Sequence, residues 1–314
     1  DAADGDESNN IAIGYDALGN LNHDSATRNL AIGNYAGDGM GAFANVDNVF
    51  LGYDAGGGTW ATAASSSNVG IGNYTLKGAM NSAEGNVAIG HKAGEGITTA
   101  DNTIAIGYQA LNDCTTGDYN IAIGVNSTPL LVSGTRNIGI GVNTFYAADN
   151  AETDNIAIGY LAMSDLNHDG ATRNIAIGNN AADGMGTVGA SIDNIFMGYD
   201  AGGGTWTTAV SSYNVGVGNY VMDAAMNGAL YNVGIGYDAL TSLTTGDGNT
   251  CVGFQAGDAI DDGGNCTAIG YLALSADCGS DNTACGTYSL SATTGVDNTG
   301  IGADVAFDVD ANNQ

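Results

Sequence analysis

The chain has 314 residues, of which 51 are glycine and one is proline, and it carries 34 acidic against five basic side chains, a formal charge of −29. Phosphate recognition needs lysine and arginine, and the five here (Arg28, Lys77, Lys92, Arg136, Arg173) are scattered, which argues against nucleic acid and anionic membrane surfaces as partners. No apolar run reaches the roughly 18–20 residues of a membrane span, and three histidines with five cysteines leave little material for catalytic or metal sites.

Residues 1–9 are acidic and small, without an initiating methionine or an apolar signal segment, so the sequence is expected to be a processed or trimmed product. From Asn10 a repeat takes over. NIAIGYDAL, NLAIGNYAG, NVFLGYDAG and NVGIGNYTL succeed one another along the chain, and the last copy is NTGIGADVA. The glycine that ends each apolar triplet recurs 17 times between Gly14 and Gly302, at spacings of 16 to 20 residues.

Each column of the repeat has a physical meaning. Large, small and large residues before the glycine alternate with period two, which is the signature of a strand with two distinct faces. The invariant glycine marks a corner with positive φ or a backbone approach too close for a Cβ. Four residues before it stands asparagine in 15 of 17 copies, suited to turns and to ladders between stacked coils. A second short strand, of the YDAL type, is expected after the corner. These features predict an all-β parallel β-solenoid of 17 coils, each of 16–20 residues, and at about 4.8 Å per coil a rod on the order of 80 Å long.

The array is duplicated. A shift of 145–146 residues maps coils 1–8 onto coils 9–16, so that LNHDSATRN at Leu21 returns as LNHDGATRN at Leu166, and DAGGGTW at Asp54 returns at Asp200. The chain therefore divides into an acidic segment (1–9), a first block of eight coils (10–154), a second block of eight coils plus one (155–302) and a C-terminal segment (303–314). The last carries the alternation Val305, Phe307, Val309 and is expected to cap the array or contact another subunit.

The stripe of small residues between the large ones, including Ala12, Ala31, Ala105, Ala122, Ala157 and Ala176, is expected to be a subunit interface, because another backbone can pack closely on it. Trp60 and Trp206 lie in the longest loops. They either fold back over the roll or offer a platform for sugar rings or a neighbouring fibre. His23, Asp24, His168 and Asp169 are binding candidates, although a structural metal site needs four convergent ligands and no completing set is evident. Asp38, Asp183, Asp261 and Asp262 sit in turns able to supply oxygen ligands, so calcium is the one cofactor that the composition invites; no other is expected. Pairs such as Gly139-x-Gly141 lack the helix that a phosphate cradle requires. Cys251 and Cys285 occupy strand columns as small packing residues, Cys266 replaces a ladder asparagine, and Cys114 and Cys278 lie in or near loops. No catalytic constellation is present in the sequence, and the protein is expected not to be an enzyme.

The Asn-x-Ala-Ile-Gly-x-x-Ala pattern, as in Asn155 to Ala162 and Asn174 to Ala181, resembles the head repeats of trimeric autotransporter adhesins. Thr103 to Leu111 and Cys266 to Leu274 are closer to the NTAIGYQAL-type repeats of phage tail-fibre proteins. The resemblance spans nearly the whole chain. It implies a left-handed roll, three chains around one axis, and an extracellular place on a cell surface or virion, where loops meet a surface glycan or host receptor. The longer repeats depart from the 14–15 residues usual in adhesin heads, and no coiled-coil stalk or membrane anchor is seen in the sequence. The expected function is a structural surface fibre, with a head-to-tail filament subunit as the alternative and a glycan-active enzyme as a distant third.

Overall fold

A computed structural model describes residues 9–148, 150–186 and 189–305. It is an all-β parallel solenoid with 17 strands of three residues each and, among the described residues, a single 3-10 turn at Asp38–Met40. The chain forms two compact units, which meet in sequence between Asp154 and Asn155. The first stacks eight strands, from β1 (Ile11–Ile13) to β8 (Ile138–Ile140). The second stacks nine, from β9 (Ile156–Ile158) to β17 (Thr299–Ile301). The boundary coincides with that of the duplicated blocks. Within each stack every strand pairs in parallel with the next and in register with its repeat: Ile11 with Leu30, Ala12 with Ala31, Ile156 with Ile175.

Both reasons for the invariant glycine operate together. Gly124 has φ +136°, and a Cβ there would lie 2.1 Å from the carbonyl oxygen of Gly141 in the next coil. The expected second strand does not form. The residues two and four places after the corner adopt left-handed backbone, as at Asp16 (φ 58°), Leu18 (φ 53°) and Tyr35 (φ 62°), which turns the chain instead of extending it. Coil-to-coil hydrogen bonds nevertheless continue through these turns, from Tyr35 N–H to Tyr15 O (2.8 Å) and from Leu18 N–H to Ala36 O (2.9 Å).

The asparagine ladder is present and closes each coil. Asn48 donates its side-chain amide to Asn29 Oδ1 (3.0 Å) in the preceding coil and to Ser65 O (2.9 Å), which completes its own coil. Its Oδ1 accepts from both the backbone N–H and the side-chain amide of Asn68 (3.0 and 3.2 Å). All of this is buried. Asn48→Ala should therefore lower stability by about 3 kcal/mol, since it strands several buried partners at once; chemical denaturation checks this, and a loss below ~1 kcal/mol would mean that the ladder is dispensable.

The two strand faces are assigned opposite to the sequence expectation. The small residue of each triplet points into the coil, and the large ones point out. Ala31, Ala105, Ala122, Ala157 and Ala176 have no exposed surface in the isolated chain, so they are core residues and not a subunit interface. Ala12 is exposed, on β1, which among the described residues pairs with one strand only. The reason is volume. A coil this short encloses little space, and that space is already occupied by the small residue three places after the corner (Ala36, Ala55, Ala110) and by Leu76, Met80 and Leu111. The two exceptions prove the limit. Phe50 fits inward because Gly70 stands opposite it on the next strand and Gly56 faces its ring, where a Cβ would come within 2.8 Å. Phe196 repeats the solution with Gly216 and Gly202.

Trp60 and Trp206 stack edge-to-face on these phenylalanines, with centroids 6.0 and 5.9 Å apart. They are 2% and 1% exposed, so the longest loops fold back and the tryptophans serve as core, not as platforms for sugar. The C-terminal alternation is described only to Val305, whose carbonyl accepts from Leu290 N–H (2.9 Å); Phe307 and Val309 lie outside the described residues.

Candidate interaction face

Because the small column is inside, the two large columns and the residue after the corner form the outer face of each sheet. In the first unit these are the columns of Ile11, Ile13 and Tyr15, continued coil by coil to Ile138, Ile140 and Val142. In the second they run from Ile156, Ile158 and Tyr160 to Thr299, Ile301 and Ala303. The side chains remain substantially accessible: Ile71 is 38% exposed and Ile235 41%. None of the 34 acidic or five basic residues of the chain falls in any of the three columns. At about 4.8 Å per strand, eight strands give an uncharged, mainly apolar stripe roughly 38 Å long and ~10 Å wide, the size of patch that often marks a contact site on a soluble protein.

Aromatic rings line one margin of this face. In the first unit Tyr15, Tyr35, Tyr53, Tyr74, His91 and Tyr108 form a continuous stack, with successive centroids 5.4 to 5.8 Å apart. In the second, Tyr199, Tyr220, Tyr237, Phe254, Tyr271 and Tyr288 do the same at 5.1 to 5.7 Å. Where a coil has asparagine in place of the ring, its side chain accepts a backbone N–H from the preceding coil, as Asn34 does from Tyr15 (3.0 Å) and Asn73 from Tyr53 (3.0 Å). Stacking stiffens the margin, since ring pairs of this geometry contribute beyond their buried area.

Charge is placed elsewhere. Arg28, Arg136 and Arg173 stand just before ladder asparagines and pair with Asp47, Asp154 and Asp193 one coil away, each through two nitrogens. The Arg28 and Arg173 guanidiniums hold the Asp47 and Asp193 carboxyls below the usual carboxylate range. A second group of acids runs along the turns after the corner. Burial, followed by repulsion from Asp54 and Asp16, raises Asp38 to about 6. Burial with Asp200 and Asp165 does the same to Asp183, and burial with Asp200 and Asp238 to Asp223, each to about 6.

The remaining sequence candidates do not converge. His23 Nδ1 accepts from Ser25 N–H (3.1 Å), and His168 Nδ1 lies 2.7 Å from Asp169 O, so both histidines shape their own loops. Asp24 and Asp169 are exposed beside them. Among the described residues no three histidine, cysteine, aspartate or glutamate side chains are grouped to hold a metal ion, and Asp38, Asp183, Asp261 and Asp262 form no such set. Cys251 is buried in the small column as expected, but Cys285 takes an isoleucine position and is exposed. Among the described residues no helix is long and apolar enough to cross a membrane.

The outward isoleucine columns were missed in the sequence as a candidate face, yet a signal was there. An acid-rich chain that excludes every charge from three columns is protecting them. No protein-family model matches the chain, and no curated protein is significantly similar to it.

Proposed function

We propose that the protein is a non-enzymatic structural element of an extracellular surface fibre, which associates with copies of itself side by side through the isoleucine columns. The observation that carries this reading is the absence of any acidic or basic residue from those columns in a chain of net charge −29. Apolar area drives association, while the excess of acidic side chains outside the columns makes like copies repel there. Approach along the uncharged columns is the least opposed. The three-chain arrangement follows from the resemblance to adhesin heads and tail fibres, as does the surface location, with loops on the charged faces left to meet a glycan or receptor.

Ile123→Glu together with Ile158→Glu should reduce the particle mass by light scattering to that of one chain, with the β-rich circular dichroism spectrum retained. Ala122→Glu should instead unfold the chain, because its charge would be buried inside the coil without a partner. Unchanged mass in the double isoleucine variant would overturn the reading. A second reading, end-to-end growth into filaments, is favoured by β1 and β17, each of which pairs with one strand only among the described residues. Electron micrographs of discrete short particles would exclude it.

A further inference from the structure

We infer that Cys266 and Cys278 are a redox-closable pair, and that a small organic disulfide converts them to an intrachain bond that rings one coil of the second unit. Cys266 opens the coil of β15 (Thr267–Ile269) at the position that asparagine holds in 15 of the 17 coils. Its backbone N–H still joins the ladder, donating to Asn249 Oδ1 (2.9 Å). In the neighbouring coils the ladder side chain closes the coil onto a carbonyl 13 or 14 residues later, as Asn249 does with Gly263 O and Asn282 with Gly295 O. Cys266 does the same with sulfur: its Sγ lies 3.4 Å from Gly279 O, the residue after Cys278. Cys278, bonded to that same Gly279, is buried beside it, and each thiol is the foremost influence on the other's titration. Both residues are almost fully covered, at 1% and 2% exposure.

The chemistry is ordered by the pair itself. Donation from Cys278 favours the Cys266 thiolate and lowers its pKa, with Asn282 adding further donors, while Cys278 is correspondingly raised. Cys266 is therefore the attacking sulfur. Its thiolate attacks one sulfur of the organic disulfide, forming a mixed disulfide and releasing one thiolate, which takes up the proton lost from Cys266. Cys278 then gives up its proton and attacks Cys266 Sγ, expelling the second thiol. The protein loses two electrons and two protons, and one disulfide is reduced to two thiols. The ring so formed holds nearly the whole coil, since the next ladder residue is Asn282, and it restrains that coil against opening. Because both sulfurs are covered, the rate follows local opening of the coil.

The test incubates the full-length protein with oxidised glutathione, blocks remaining thiols with iodoacetamide and maps the peptides by mass spectrometry. The expected result is one linked pair of peptides carrying Cys266 and Cys278, two hydrogens lighter, with a melting temperature raised by several degrees and restored by dithiothreitol. Cys266→Asn, which installs the residue of the other coils, should fold and show no shift with oxidant; Cys278→Ala should do the same. The inference is overturned if both thiols remain alkylatable while the urea-unfolded chain oxidises, if Cys251 or Cys285 is found in the bridge instead, or if the thermal shift persists in Cys266→Asn.

Discussion

Replacing Gly124 by alanine is expected to destabilise the first unit by more than ~4 kcal/mol, a loss confined to a few identifiable mechanisms. Two of them act here. The backbone sits at φ +136°, where a Cβ is strained, and the added carbon would lie 2.1 Å from Gly141 O. Neither side can yield easily, because Gly124 N–H is bound to Ile106 O (2.7 Å) and Gly141 N–H to Ile123 O (2.8 Å). A control separates conformation from crowding. Gly85 has φ +70° and occupies the position before a ladder asparagine, where other coils carry Arg28, Asp47 or Tyr119 with φ near 60°. A Cβ at Gly85 would come too close to one atom, the movable side-chain oxygen of Asn102, and would make ordinary contact with the rest of that residue. Gly85→Asn should cost less than ~1 kcal/mol, since asparagine tolerates that backbone. Thermal melting of both variants checks the pair, and a Gly124→Ala melting temperature within ~2 °C of the parent would show that the corner relaxes.

The protein should be more stable at pH 5 than at pH 7.5. Asp38, Asp183 and Asp223 are raised from an ordinary value near 3.8 to about 6, chiefly by burial, and Asp200 and Asp258 are raised for the same first reason. Between about 4 and 6 the folded chain therefore holds more protons than the unfolded one, and stability falls as pH rises through that window. Asp47 and Asp193 act in the opposite sense. Their pKa values are lowered by arginine, so their contribution disappears only below the ordinary carboxylate range and does not offset the trend above pH 4. The raised acids are only partly covered, so solvent screening reduces each contribution, and a rise of several degrees in melting temperature on acidification is expected. Asp38→Asn should raise the melting temperature at pH 7.5 and flatten part of the pH dependence. A melting temperature that climbs steadily from pH 5 to 7.5 would show that these carboxylates are already solvated.

Much of this fold was legible before any coordinates. The glycine corner, the asparagine ladder, the strand triplets and the division at residue 154 follow from recurrence alone, because a backbone requirement met 17 times leaves 17 copies of the same residue. The direction of the faces was not legible. Alternation in Ile121-Ala122-Ile123 states that two faces exist, and the habit of placing large residues inside points the wrong way when the coil is too narrow to hold them. Phe50 carried the correcting clue, since an inward phenylalanine needs glycines at positions such as Gly56 and Gly70, and both are present. The left-handed turns escaped for a different reason. Leu18, Leu76 and Met163 adopt φ near 50° despite side chains that disfavour it, held there by coil-to-coil hydrogen bonds that no local preference reveals. The two roles open to the tryptophans could not be separated for the same reason, since only a filled interior explains why Trp60 and Trp206 each lie ten residues after an inward phenylalanine.

The asparagine ladder also bears on how such a protein changes length. Each rung is offered only to the next coil, and each coil presents the same acceptor that it received: Asn29 to Asn48, Asn48 to Asn68, Asn68 to Asn86. Nothing in this bonding counts coils. A whole coil, or the whole eight-coil block, can be copied in while every rung keeps the same kind of partner, and the residue shift of 145–146 is the trace of one such event. A one-residue deletion within a strand has the opposite character. It turns every side chain as far as the next corner to the other face, placing isoleucine in a space that holds alanine. Length in this molecule is inherited as copy number, and evolution can edit it freely only in units of a coil.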